Sequence, residues 1–168
     1  MKELLLGCGS QTKKHLSVNE SNVFSNVVRL DNNSYHNPDV LWDLQKHPLP
    51  FKDNEFDEIH AYEVLEHLAY QGDYEFFFAE FSEYFRILKP KGFFCCSVPK
   101  ASSVWAIGDP SHKRIIVKEN LIFLSQESYK HVGKTTMSDF RNIYKADFSI
   151  AYMKDQGESF NFILRSKK

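Results

Sequence analysis

The chain has 168 residues, which is room for one domain and little more. Hydrophobic residues make up 42% and charged residues 26%, with 15 Phe and 8 Tyr to fill a core, so intrinsic disorder and fibrous repeats are excluded. The net charge of −1 hides an asymmetry: Lys and Arg number 9 against 15 acids in residues 1–99, and 12 against 7 in residues 100–168. The basic residues of the later part are scattered rather than clustered, which makes only a weak case for nucleic acid as a partner.

The opening Leu4-Leu5-Leu6 followed by Gly7-Cys8-Gly9 predicts a buried strand stopped by a tight glycine turn. Residues 27–30 predict a second strand ending in Asp31, and residues 40–42 a third ending in Asp43. Residues 56–62 predict a fourth, with Ile59 and Ala61 inward. From Asp73 to Leu88 the residues Tyr74, Phe77, Phe78, Phe81, Phe85 and Leu88 recur at three- and four-residue steps, the period of a helix with a broad aromatic face, closed by Lys89-Pro90-Lys91-Gly92. Residues 92–98 then read as a fifth buried strand ending at Pro99.

Residues 100–116 have turn chemistry and no period, and residues 118–129 hold one short helix. Residues 148–153 and 160–165 predict two terminal strands, and the brief connection through Gly157 makes them antiparallel, because a parallel return needs a longer crossover. No apolar run approaches the roughly 20 residues of a membrane span. Glycine comes too early for a signal peptide, so a soluble cytoplasmic protein without membrane contact is expected. Cys8, Cys95 and Cys96 lack metal-type spacing and read as reduced, small apolar residues, with Cys95 and Cys96 on opposite faces of their strand.

In an open parallel sheet, ligands bind beyond the carboxyl ends of the strands where the strand order reverses. Gly7 and Gly9 after the first strand, with Asp31 and Asp43 after the second and third, therefore face one crevice. Glycine lets the backbone approach a ligand, and Asp accepts hydrogen bonds from adjacent ribose hydroxyls. The spacing also suits a nicotinamide dinucleotide, but that fingerprint needs a third glycine opening a helix, and here the chain continues Ser10-Gln11-Thr12-Lys13-Lys14.

The combination LLLGCGS (4–10), VVRLD (27–31), DLQKHPLPFKDNEFDEIHAYEVLEHL (43–68), FRILKPKGFFCCSVP (85–99) and DPSHKR (109–114) resembles class I S-adenosylmethionine-dependent methyltransferases, and the small bacterial type in particular. The resemblance implies one domain over residues 1–168: an α/β, Rossmann-like, doubly wound sheet of about seven strands, mostly parallel with the last antiparallel. It implies S-adenosylmethionine as cofactor, with Gly7, Cys8, Gly9 and Ser10 around the methionine moiety and Asp31 on the ribose. Asp43 and Leu44 would border the adenine, and Glu63 would lie near the sulfonium. The expected acceptor is a small molecule or nucleotide-type compound, methylated on a hydroxyl oxygen and read by residues 100–145. A cofactor-binding accessory protein without turnover is the alternative, suggested by the missing third glycine.

Glu63, Glu66 and His67 form E-x-x-E-H, and on a helical turn positions i, i+3 and i+4 share one face. The motif is similar to that of two metal-dependent O-methyltransferase groups, which act on ubiquinone precursors and on small-RNA 2′-hydroxyls. That resemblance implies a site for Mg2+ or Mn2+ built from Glu63, Glu66 and His67 and completed by His112, the ion lowering the pKa of an acceptor hydroxyl. Glu66, His67 and His112 are also the candidate catalytic residues. Set against this is a purely structural Glu-His pair, and for His112 a solvated loop beside Lys113 and Arg114. His15, His36, His47, His60 and His131 have no partner spacing, and Trp105 and Tyr62 are candidate walls of an acceptor pocket.

Overall fold

The computed structural model describes residues 1–19 and 21–168. Seven strands form one sheet: β1 (Glu3–Leu6), β2 (Val27–Asp31), β3 (Val40–Leu41), β4 (Phe56–Tyr62), β5 (Leu88–Pro99), β6 (Phe148–Gln156) and β7 (Ser159–Ser166). Their order is β3-β2-β1-β4-β5-β7-β6. The first five pair in parallel, and β7 runs antiparallel between β5 and β6, as expected. The last hairpin turns on two residues, Gly157 and Glu158, with Gly157 at φ +57°, a length that suits the twist of paired strands.

Register places Leu4, Ile59 and Phe94 side by side, and Leu6, Ala61 and Cys96 two residues on. Because side chains alternate along a strand, these six enter one core with the helix α1 (Tyr74–Ile87). Phe78 and Phe81 of α1 are buried there, each contributing about 1.5–3 kcal/mol. Asp73 caps the helix by accepting from the Phe76 amide at 3.0 Å. Two members of the expected stripe depart from it. Tyr74 is exposed, and Leu88 already opens β5, so the apolar face is narrower and takes in Glu80 and Tyr84 instead.

Residues 118–129 do not make one helix. They break into α3 (Lys118–Leu121), a 3-10 turn at Ile122–Leu124 and another at Ser128–His131, docking Leu121, Leu124 and Tyr129 on the main core. Residues 100–116 contain one short helix, α2 (Trp105–Gly108).

Leu5, Cys8 and Tyr62 form a separate small cluster with Leu16, Phe24 and Val27. The described residues between Gly9 and Val27 form no helix. They strap the sheet through Lys14, which is 5% exposed. Its ammonium pairs with Glu3 and lies 2.9 Å from Glu58. Cys8, Cys95 and Cys96 are free and buried. Among the described residues no helix is long and apolar enough to cross a membrane.

Candidate functional site

The turn after β1 holds Gly7 at φ +55° and Gly9 at φ +45°. A Cβ on Gly7 would stand 2.6 Å from Val64 Cγ2, so the β1 tip touches the turn after β4 at a point where only glycine fits. With β1 and β4 adjacent and chain order reversing between them, this contact marks the switch point of the sheet.

A crevice of about 480 Å³ opens there, lined by Gly7, Asp31, Trp42, Asp43, Leu44 and Glu63 among others. Its size is that of a small-ligand site. Beyond Gly7, a second cleft of about 270 Å³ is lined by Cys8, Gly9, Ser10, Gln11, His15 and Tyr62, and shares Gly7 and Glu63 with the first. Every residue expected to hold the cofactor thus borders one of two adjoining hollows. Cys8 is 1% exposed and burial pushes its thiol pKa up, so its backbone is what it can offer a ligand.

Asp31 is already engaged. Its carboxylate accepts from the amides of Gly9 at 2.8 Å and Asn33 at 2.9 Å, and pairs with His36 Nδ1 at 3.0 Å. Burial alone would raise its pKa; these donors outweigh burial and hold it below the usual carboxylate range. About three of a carboxylate's four acceptor positions are then filled. A ribose diol, offering two donors, would have to displace His36. His36 and His15, which stacks on Tyr62 at 4.5 Å, are site residues that spacing alone does not reveal.

The turn after β4 departs from the expected helical face. Glu63 is exposed and left-handed, at φ +55°, a conformation that costs a non-glycine residue about 1–3 kcal/mol. Its amide donates to Ser97 O at 2.9 Å and its carboxylate accepts from Ser159 Oγ at 3.0 Å. Only Leu65–His67 turn as a 3-10 helix. Glu63 therefore stands outside the group formed by Glu66, His67 and His112, whose ligand-type atoms lie within 4.8 Å of one another.

Glu66 is 2% exposed, and neither carboxylate oxygen has a hydrogen-bond partner. Burial, helped by the charge of Glu63, pushes its pKa up to about 8. His112 Nε2 lies 3.9 Å from Glu66 and the same distance from Asp109, and its Nδ1 is buried without a partner. The His67 ring meets His112 edge to face at 4.7 Å, and its Nδ1 faces Ser111 Oγ at 3.1 Å. Burial, then the neighbouring His112, lower the His67 pKa, so this imidazole is neutral at pH 7.

The loop carrying His112 is not solvated at Arg114, which is 7% exposed. Arg114 donates to Leu65 O and to Glu80 Oε2, both at 2.7 Å, and Tyr84 donates to the other Glu80 oxygen at 2.9 Å. The Lys113 amide adds a bond to Glu66 O at 2.8 Å. A buried ion pair on α1 thus holds His112 over Glu66. The signal available in the sequence was Glu80, an acid on the apolar face of a helix, which demands a buried cation.

A third cleft, of about 360 Å³, lies beyond β4, β5 and β7 and is lined by Glu66, Trp105, Asp109, His112, Glu158 and Ser159, with Glu63 and His67 at its border with the first crevice. Glu63 lines all three hollows. Tyr62, expected as a possible acceptor wall, lines the second cleft and hydrogen-bonds Leu16 O at 3.1 Å.

Residues 4–96 match the family model described as a methyltransferase domain. No curated protein matches. Among solved structures, an S-adenosylmethionine-dependent methyltransferase from Archaeoglobus fulgidus is 15% identical with a TM-score of 0.60, over 98% of this chain and 86% of that one. One from Methanosarcina mazei is 16% identical, TM-score 0.59, over 98% and 92%. One from Mesorhizobium loti is 17% identical, TM-score 0.55, over 98% and 90%. At such identities these structures share the fold with this chain.

Proposed function

The chain belongs to the methyltransferase-domain family, and on that premise we propose that it moves the methyl group of S-adenosylmethionine to a nucleophile held in the third cleft. The observation that carries this reading is the junction: the crevice at the switch point and the third cleft meet at Glu63 and His67. A donor in one and an acceptor in the other would face each other across that border.

The adenosyl part fits the crevice beside Asp31, Asp43 and Leu44, and the methionine part fits the glycine turn at residues 7–10. The donor supplies a methyl group on a positively charged sulfur. The protein's task is then alignment, which is worth about 7–11 kcal/mol in well-oriented systems. The Glu63 carboxylate sets negative charge beside the positive end of the donor. Where the nucleophile is a hydroxyl, neutral His67, and His112 beside Glu66, are placed to accept its proton.

A second reading is favoured by the ligand-type atoms of Glu66, His67 and His112 gathered within 4.8 Å. The unpartnered Glu66 oxygens and His112 Nδ1 fit a cation. One carboxylate with two imidazoles suits Mn2+ or Zn2+ better than Mg2+, which prefers oxygen ligands. An ion held by these three would lower the pKa of an acceptor hydroxyl, the acceptor atom expected from the sequence.

Calorimetry with S-adenosylmethionine tests the proposal. Binding is expected, and Asp31→Asn should weaken it roughly 10- to 100-fold through loss of charge-assisted hydrogen bonds. An unresponsive protein refutes the methyltransferase reading, and binding without turnover favours the accessory one. Loss of methyl transfer in chelator with recovery in Mn2+ supports the metal, whereas full activity in chelator removes it.

A further inference from the structure

We infer that the acceptor of the third cleft is an organic cation, an amine bound as its ammonium form, an inference that rests on the reading of this cleft as the acceptor site. Its lining includes the carboxylates of Glu63, Glu66, Asp109 and Glu158. Among the described residues lining it there is no Lys or Arg. Lys100 approaches Glu158 from outside that lining, its Nζ at 3.7 Å, and donates to Gly157 O at 2.7 Å.

Negative charge alone does not make a ligand site; Glu66 supplies the second observation. Five acids are buried among the described residues: Glu3, Asp31, Glu58, Glu66 and Glu80. Glu3 and Glu58 pair with Lys14, Glu80 with Arg114 and Tyr84, and Asp31 with two amides and His36. Glu66 has no such partner, and His112 at 3.9 Å is too far for a hydrogen bond. This deeply buried acid borders the cleft with neither oxygen hydrogen-bonded within the chain, and a cation that enters would favour its ionised form. An ammonium group carries up to three donors and a positive charge.

Trp105 strengthens the identification. It lines the same cleft yet is 59% exposed, and an indole face attracts an ammonium ion. A metal ion among Glu66, His67 and His112 would account for Glu66 but leave Trp105 and Glu158 without a role. An ammonium group with an organic body uses all three.

The chemistry balances. The bound ammonium gives one proton to solvent at the open mouth of the cleft. The nitrogen lone pair then forms the new N–C bond as the S–C bond breaks, and the S–C electron pair stays on sulfur as a neutral thioether. The methylated product is again an ammonium ion, and one proton is released overall.

The two tryptophans allow a direct test, because Trp42 borders the donor crevice and Trp105 the third cleft. In Trp42→Phe protein saturated with S-adenosylhomocysteine, n-butylamine should perturb Trp105 fluorescence saturably, at least tenfold more tightly than the neutral isostere 1-butanol. Glu66→Gln combined with Asp109→Asn should weaken that response tenfold or more, and Glu158→Gln, at an exposed position, should weaken it without risk to the fold. Equal responses to amine and alcohol, or no response to either while S-adenosylhomocysteine still shifts Trp42 in Trp105→Phe protein, overturn the inference and leave the methyltransferase reading standing. A silent Trp42 together with a flat calorimetric trace removes both.

Discussion

Gly7 shows how much a single residue decides. Its positive φ costs an alanine roughly 1–2 kcal/mol, and the added methyl would press on Val64 at 2.6 Å. Overpacking of that kind adds roughly 1–3 kcal/mol. Gly7→Ala should therefore lower stability by about 2–5 kcal/mol in urea titrations. Pairing it with Val64→Ala should recover part of the loss relative to the two single effects added together. Strict additivity would show that the contact is not the cause. Gly7 was legible as a turn glycine, but the contact with Val64 was not, because it spans 57 positions and depends on which strands are neighbours. The orphaned Glu66 was legible only as a motif member; its burial and lack of donors depend on Arg114 and His112 arriving from a distant loop.

At the scale of elements, the segment after the glycine turn forms no helix among its described residues, and a single lysine anchors it. Burial alone would lower the Lys14 pKa, but its bonds to Glu3 and Glu58 more than compensate and raise it. Burial likewise raises Glu58, and its bonds to His60 and Lys14 outweigh that and hold it below the usual range. Removing one partner of a buried ion pair strands the other, at about 3–5 kcal/mol, so Lys14→Met should be destabilising by that amount in denaturant melts. The sign with pH follows from Glu58. Its folded pKa lies below its unfolded one, so its contribution is present above the unfolded value near 4.5 and fades as pH falls through the folded value. The gap between wild type and Lys14→Met should narrow below about pH 4.5; a constant gap would mean that the ion pair does not anchor the strap. The helix α1 teaches the complementary lesson. Its aromatic period located it to within a residue, yet its buried face includes Glu80, whose partner Arg114 lies 34 positions away.

For the molecule as a whole, three hollows at the carboxyl ends of the parallel strands meet at Glu63. A ligand that fills the switch-point crevice binds the folded chain alone. S-adenosylhomocysteine at 100 times its Kd should therefore add about 2.7 kcal/mol. In a domain of this size that raises the thermal midpoint by roughly 5–11 °C. Scanning calorimetry reads this directly, and an unmoved midpoint would remove the crevice as an adenosyl site. The order β3-β2-β1-β4-β5-β7-β6 makes this possible, since it brings the tips of β1, β2 and β4 together with the hairpin tip at Glu158 and Ser159.

Local chemistry already specified the strands, the aromatic helix, the terminal hairpin and the glycine-acid pattern at the strand tips, because periodicity and turn residues act over a few positions and survive in a linear reading. The seating of Glu63 outside the Glu66, His67 and His112 group, the anchoring of His112 through Arg114 and Glu80, and the capture of Asp31 by His36 were decided only in three dimensions. The anchoring of His112 turns on Glu80, a charge desolvated and paired by a residue remote in sequence, while Glu63 and His36 are set by the backbone conformation of the turns that carry them; whether such a group ends up paired or bare is a property of packing that no spacing encodes.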